Sequence, residues 1–268
     1  ERSEDHGRVR VRAVGVGVRR GEVVAARGRA AGLGRPVLVR LDLGDGTLDL
    51  ARVAATIAGV RVAVIALLAG IEGRTGWHPF FDGEFPIGLR NDEIAGGISL
   101  EPGGQFELSG APVETIHQTC RESNAHLAQL REIAEPLGIR FLGLGGSPKW
   151  TLAETPRMPK SRYDIMTAYM PRVGSQGLDM MYRTCTIQVN LDFESEADMR
   201  RKMQVSLKLQ PVATALFANS PFTEGRPNGF QSWRGDIWRD TDNQRSGLLE
   251  FCFAPGFGFA DYAEWALD

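Results

Sequence analysis

A few carboxylate, amide and guanidinium side chains stand out as groups that could do chemistry together. Glu101 and Glu107 flank Pro102-Gly103-Gly104, and Gln188 and Asn190 share one side of an alternating run. Oxygen ligands of this kind suit Mg²⁺, which keeps several waters and takes substrate phosphates as its remaining ligands. No Cys and His cluster argues for a softer metal. Arg162 stands in Lys160-Ser161-Arg162-Tyr163 and Arg234 in Ser232-Trp233-Arg234. A guanidinium fork can clamp a carboxylate or a phosphoryl oxygen. Taken singly, each of these residues also reads as solvated surface, so the chemistry depends on the elements that position them.

Short strand-like pieces at 98–100 and 105–108 enclose the Pro-Gly-Gly segment as a turn or bulge. Pro112 suits the first position of a helix, on which Val113, Ile116, Cys120, Leu127, Leu130 and Ala134 form one apolar face. Pro136 and Gly138 close that helix. His117 and His126 read as helix surface or as satisfied core contacts. The clearest strand is 184–193, where Cys185, Ile187, Val189, Leu191 and Phe193 alternate with Thr184, Thr186, Gln188, Asn190 and Asp192. Its one polar face fits an antiparallel sheet covered on one side, with the solvated reading left open. Ser195, with Asp198 three residues on, offers an N-cap for a helix to about Gln210. A short apolar helix follows Pro211 to about Ala218. A long loop rich in Gly, Pro, Arg and Trp then runs through 219–238, and such loops are often functional.

Gly143-Leu144-Gly145-Gly146 is followed by Ser147-Pro148 rather than by an apolar helix, so it reads as a turn and not as a phosphate-binding loop. The expected class is therefore α+β, an antiparallel sheet with helices packed on its apolar face.

The chain has 268 residues, with 31 basic against 33 acidic side chains and a net charge of -2. That balance gives no drive toward nucleic acid or an anionic membrane. The apolar run at 53–69 is interrupted by Arg61 and is shorter than the roughly 20 residues of a membrane helix. Cys120, Cys185 and Cys252 have neither disulfide-framework nor zinc spacing, so a reducing, cytoplasmic setting is expected. Composition breaks sharply near the start: all 22 aromatics lie at or after Trp77. Residues 1–63 use mainly Arg, Ala, Gly and Val, and are expected to be disordered or poorly packed. They read as a mistranslated or substituted segment better than as a transit peptide or an Arg-rich nucleic-acid arm. Packed texture begins at about residue 64.

Four stretches carry a resemblance: ISLEPGGQFELSGAPVETIHQTC, MPKSRYDIM, YMPRVGSQGLDMMYRTCTIQVNLDF and QPVATALFANSPFTEGRPNGF. Across about residues 64–268 the chain resembles glutamate-cysteine ligase of the plant and proteobacterial class. The resemblance implies a glutamine-synthetase-like fold and ATP-dependent joining of the γ-carboxylate of glutamate to the amine of cysteine. It implies Mg²⁺ ligands at Glu101, Glu107 and Gln188, and Asn190 orienting substrate or metal-bound water. Arg162 and Arg234 would bind substrate carboxylates or the acyl phosphate, with Tyr163 as a neighbour. Cys185 falls on the apolar face by alternation, and so reads as a buried structural thiol rather than a catalytic one. Another carboxylate-amine ligase of the same fold, or a non-catalytic remnant that binds a ligand or partner, are the alternatives. The family's Gly-Thr-Glu-His-Glu-type segment is not found before residue 64, and family members continue past the Tyr-Ala-Glu-Trp-Ala-Leu-Asp region. The reading is thus an incomplete catalytic domain, and the expectation for the chain as written is little or no turnover.

Overall fold

The computed structural model describes residues 15–18, 50–93 and 95–267. In chain order the elements are strand β1 (Gly15–Val18), helix α1 (Leu50–Thr75), and strands β2 (His78–Asp82), β3 (Phe85–Asn91), β4 (Gly96–Leu100) and β5 (Phe106–Ser109). Helix α2 (Ile116–Ala134), strand β6 (Ile139–Leu142), and helices α3 (Ser161–Tyr169), α4 (Gly177–Arg183) and α5 (Glu196–Leu216) follow. Strands β7 (Phe222–Thr223) and β8 (Arg226–Pro227) and helices α6 (Trp233–Ile237) and α7 (Phe259–Leu267) complete them.

Strands β2 to β5 form an antiparallel meander in sequence order, so the α+β expectation holds. Alternation along β4 puts Ile98 and Leu100 into the core, and Phe106 of β5 joins them. Helix α1 covers this face with Val64, Leu67, Leu68 and Ile71, a helical spacing, and α2 adds Leu130, Ile133 and Ala134. The two helices approach closely at Gly70, where a Cβ would lie 2.5 Å from Ile133 Cγ2. The other sheet face carries the row Phe80, Gly88, Ser99 and Glu107, directly paired across four strands. Gly88 is required there, because a Cβ would meet the Ile98 carbonyl oxygen at 2.2 Å and the Phe80 ring at 2.5 Å. A second, smaller core joins Met199 and Leu207 of α5 to Cys252 and Phe257.

Several expectations change. The 98–100 and 105–108 strands appear as β4 and β5, with Gly104 at φ 82° in the intervening turn. Helix α2 begins later than Pro112 suggested, because Thr115 and Gln118 form a reciprocal capping box. Its buried side is His126, Leu130, Ile133 and Ala134, while Val113 and Ile116 are exposed. Pro136 and Gly138 do end it, through a one-turn 3-10 segment and a left-handed Gly138. The 184–193 segment is not a strand among the described residues: only Thr184 forms a bridge, to Gly146. Ile187, Val189, Leu191 and Phe193 are all exposed. Alternation states which residues would share a face but supplies no ladder partner, and a strand needs one.

Helix α5 continues through Pro211 to Leu216, although the proline lacks one N–H donor and crowds the preceding turn. The 219–238 loop contains the β7–β8 hairpin and α6. Near the start of the chain, β1 pairs antiparallel with β6, and α1 runs continuously across residue 63. The remaining expectations for residues 1–49 lie outside the described residues. No helix of the described residues is long and apolar enough to cross a membrane.

His126 is core rather than surface, stacked on Phe106 with ring centroids 6.2 Å apart, and its Nε2 is buried with no hydrogen-bond partner. Burial lowers its pKa to about 4, so the folded state holds it neutral. The unfolded chain binds this proton at about pH 6.5, so stability is complete above that pH and declines as pH falls toward 4. The full loss is about 3 kcal/mol. Denaturant titrations across pH 7 to 4 should show this slope, and His126→Phe should flatten it.

Candidate functional site

The polar face of the sheet meets the start of α3 at a cleft of about 330 Å³ lined by Phe80, Asp82, Ser99, Glu101, Lys160 and Arg162. Local chemistry brings them together. Glu101 closes the β4–β5 turn, its N–H donating to the Gln105 carbonyl at 2.8 Å. The Gln105 side chain holds that turn against α4: Oε1 accepts from Gly103 N at 2.7 Å, and Nε2 donates to the Thr184 carbonyl at 2.9 Å. On the opposite wall, Ser161 donates from its backbone N–H and from Oγ to Asp82 of β2, at 2.6 and 2.9 Å. These bonds hold the Asp82 carboxyl below its usual range. The α3 N-terminus is thereby tied to the β2 edge of the meander.

Glu101 is the hub. Ser99 Oγ donates to its Oε1 at 2.9 Å, and Tyr163 Oη lies 3.2 Å from its Oε2. Lys160 Nζ is 3.7 Å from Oε1, and an Arg162 Nη is 4.0 Å from Oε2. The Tyr163 phenol accepts from Lys160 at 3.2 Å and from Arg162 at 3.3 Å. Burial keeps that phenol protonated well above its ordinary range. Tyr163 is itself buried, so it acts on the cleft through Glu101, Lys160 and Arg162. Glu107 stands across from Ser99 on β5. Desolvation at the sheet surface raises its carboxyl pKa first, and the neighbouring charge of Glu101 raises it further.

Arg234 belongs to a different part of the described structure. Its N–H donates to Ser220 Oγ at 3.0 Å, and its guanidinium faces the Trp238 ring at 5.9 Å. Its Nε is buried without a hydrogen-bond partner. Burial lowers its pKa, and it also raises that of neighbouring Cys185 to about 11, so this thiol stays protonated and structural. Arg183 stabilises the surroundings: it pairs with Asp179 at 2.5 Å and Glu224 at 3.0 Å and stacks on Trp233 at 4.9 Å. Gln188 donates to Asn190 at 2.9 Å on the exposed 184–193 segment.

Glu101, Glu107, Arg162 and Tyr163 are therefore assembled in one place. Among the described residues, no hydrogen bond or ion pair joins Gln188, Asn190 or Arg234 to that cluster. Sequence reasoning missed Lys160, Asp82 and Ser99. The signal for Lys160 was adjacency to Arg162, and for Ser99 it was its place two residues before Glu101 on one strand face. Among the described residues, no group of three or more His, Cys, Asp or Glu is arranged to hold a metal ion.

The family model for Glutamate-cysteine ligase family 2 matches residues 65–268. The chain is similar to the chloroplastic glutamate–cysteine ligases of Nicotiana tabacum and Arabidopsis thaliana, each 60% identical over 205 residues. These alignments cover 76% of this chain and 39% of each relative. Glutamate–cysteine ligase A of Oryza sativa subsp. japonica, also chloroplastic, is 58% identical over 202 residues, covering 75% of this chain and 41% of that protein. The chain thus spans about two fifths of the length of the curated relatives it matches. Their chloroplastic naming overturns the cytoplasmic setting expected from the cysteines. Free thiols report a reducing environment and do not distinguish among reducing compartments.

The raised Glu107 pKa fixes a sign for one substitution. Holding this carboxylate ionised costs stability above its folded pKa, and that cost disappears as pH falls through it toward the ordinary glutamate value of 4.5. Glu107→Gln should therefore raise the thermal midpoint at pH 7. The gain over the parent should shrink as the melt is repeated toward pH 4.5.

Proposed function

We propose that this chain, which belongs to Glutamate-cysteine ligase family 2, serves the ATP-dependent ligation of the γ-carboxylate of L-glutamate to the amine of L-cysteine, the first step of glutathione synthesis. The carrying observation is Glu101 in a cleft with Lys160 and Arg162, with the Glu107 carboxylate beside it on the same sheet face and within their electrostatic reach. The α+β architecture, with its polar sheet face opposite the helices, supports the glutamine-synthetase-like reading.

A carboxylate is a poor electrophile and must be activated. A γ-carboxylate oxygen of glutamate attacks the terminal phosphorus of ATP, and ADP leaves. The cysteine nitrogen then attacks the acyl carbon, phosphate departs with the C–O bonding pair, and the nitrogen loses a proton. Such transfers depend on positioning and charge neutralisation more than on covalent help from the protein. The donor chemistry suits Mg²⁺, which the carboxylates of Glu101 and Glu107 would hold, with water and substrate phosphate as its other ligands. Bound there, Mg²⁺ would neutralise phosphate charge. Glu101 is oriented for this by Ser99 and Tyr163. Arg162, exposed along most of its side chain, reaches into the cleft to meet an anionic oxygen. The unpartnered Nε of Arg234 is a donor ready for a substrate carboxylate, and Cys185 takes no part.

Calorimetry of the chain with L-glutamate, in the presence of Mg²⁺ and a non-hydrolysable ATP analogue, tests the binding half. Saturable glutamate binding is expected, and Arg234→Lys should weaken it about tenfold by losing the bidentate fork while keeping charge. Absence of glutamate binding to the parent chain would overturn the reading. An unchanged affinity in Arg234→Lys would remove Arg234 from the site. Where ADP release is followed, dependence on cysteine marks this ligase, and equal response to other amines marks a different carboxylate-amine ligase.

A further inference from the structure

Lys160 is 6% exposed, unusual for a lysine, and its side chain ends in the Glu101 cleft. Its ammonium has a hydrogen bond to Tyr163 Oη at 3.2 Å and a looser ion pair with Glu101 Oε1 at 3.7 Å. The same Glu101 oxygen already accepts from Ser99 at 2.9 Å. Arg162, the other cation beside Glu101, has a side chain 65% exposed against 7% for Lys160. When a divalent cation takes the Glu101 carboxylate, Arg162 can turn into water, but Lys160 cannot. A buried ammonium left beside a divalent ion would face strong repulsion, which the weaker influence of the Glu107 and Asp82 carboxylates offsets only in part.

We propose that Lys160 is a phosphoryl-binding residue that exchanges partners: Glu101 is its counter-ion in the ligand-free cleft, and a phosphoryl oxygen replaces Glu101 when a divalent cation occupies that carboxylate. The inference rests on the reading of this cleft as a Mg-nucleotide centre, and it adds a specific coupling. Cation alone and Lys160 compete for Glu101. Cation with phosphate satisfies both. The geometry also gives Tyr163 a part: hydrogen-bonded to the ammonium and packed with its ring 5.2 Å from it, it holds Lys160 at the cleft wall through the exchange.

Removing the ammonium should move two affinities in opposite directions. In Lys160→Met, Mn²⁺ alone, read by electron paramagnetic resonance, should bind about tenfold more tightly, because the competing cation is gone. ADP titrated in the presence of Mn²⁺ should bind about tenfold more weakly, because its phosphoryl partner is gone. Lys160→Gln, which keeps a polar head for Tyr163, should show the same opposed pair of shifts. A merely structural lysine would weaken both ligands or neither, and either result overturns the proposal, as does absence of Mn²⁺ binding by the parent chain. The opposed shifts in a chain that does not bind glutamate would remove the ligase reading alone. Glutamate-plus-cysteine-dependent ADP release, with both ligand affinities unmoved in the variants, would remove this inference alone.

Discussion

The buried ammonium of Lys160 sets the terms for everything around it. A lysine 6% exposed is tolerated only where an anion and hydrogen-bonding groups replace water, and here these are Glu101 and Tyr163. Glu101 must therefore stay where it is, which requires the β4–β5 turn to stay closed. That turn is held by the Gln105 side chain against α4 and by the bond from Met158 N to the Pro102 carbonyl at 2.9 Å. Tyr163 must be buried as well, and α3 can bury it only because Ser161 anchors the helix start to Asp82 on the far edge strand. The same few contacts that make a buried charge tolerable also bring the Glu101 carboxylate and two cations to one cleft.

This arrangement explains which parts were legible in the sequence. The β4–β5 hairpin was readable because Pro-Gly-Gly punctuates two short alternating runs, and its polar face then names Glu101 and Glu107. Ser195 was readable as a cap, and the structure shows its side chain accepting from Asp198 N. The start of α2 was misjudged because Pro112 is permitted at a helix start, whereas Thr115 with Gln118 satisfies two otherwise orphaned donors, and satisfied donors decide the boundary. The burial of His126 is not legible locally, because nothing near it in sequence records that Phe106 of β5 will stack on it.

The 184–193 segment shows the limit of periodicity most directly. Its alternation is the cleanest in the chain, yet apart from the Thr184 bridge it runs unpaired among the described residues. Strand identity is a property of a pair, and sequence period reports on one member only. Beta2 and β3 make the converse point. They were not singled out from sequence, but the row from Phe80 through Gly88 to Ser99 and Glu107 is continuous across four strands. What makes that row possible is an absence: at Gly88 no Cβ separates the Phe80 ring from the sheet.

Charge organisation separates the two candidate centres. Around Glu101, cations and anions are paired loosely, at 3.7 and 4.0 Å, and the Glu107 carboxylate is destabilised by desolvation and then by the Glu101 charge. Around Arg183 the pairing is tight, at 2.5 and 3.0 Å, with Trp233 stacked on the guanidinium. Tight, fully partnered networks rigidify, while loosely paired groups retain capacity for a ligand. Arg183 thus fixes the residue immediately before Arg234, and Arg234 keeps a buried donor unspent. The proposed phosphoryl-transfer centre would need both kinds of neighbourhood. The groups that meet charge must be free to exchange partners, and the scaffold presenting them must not move when they do.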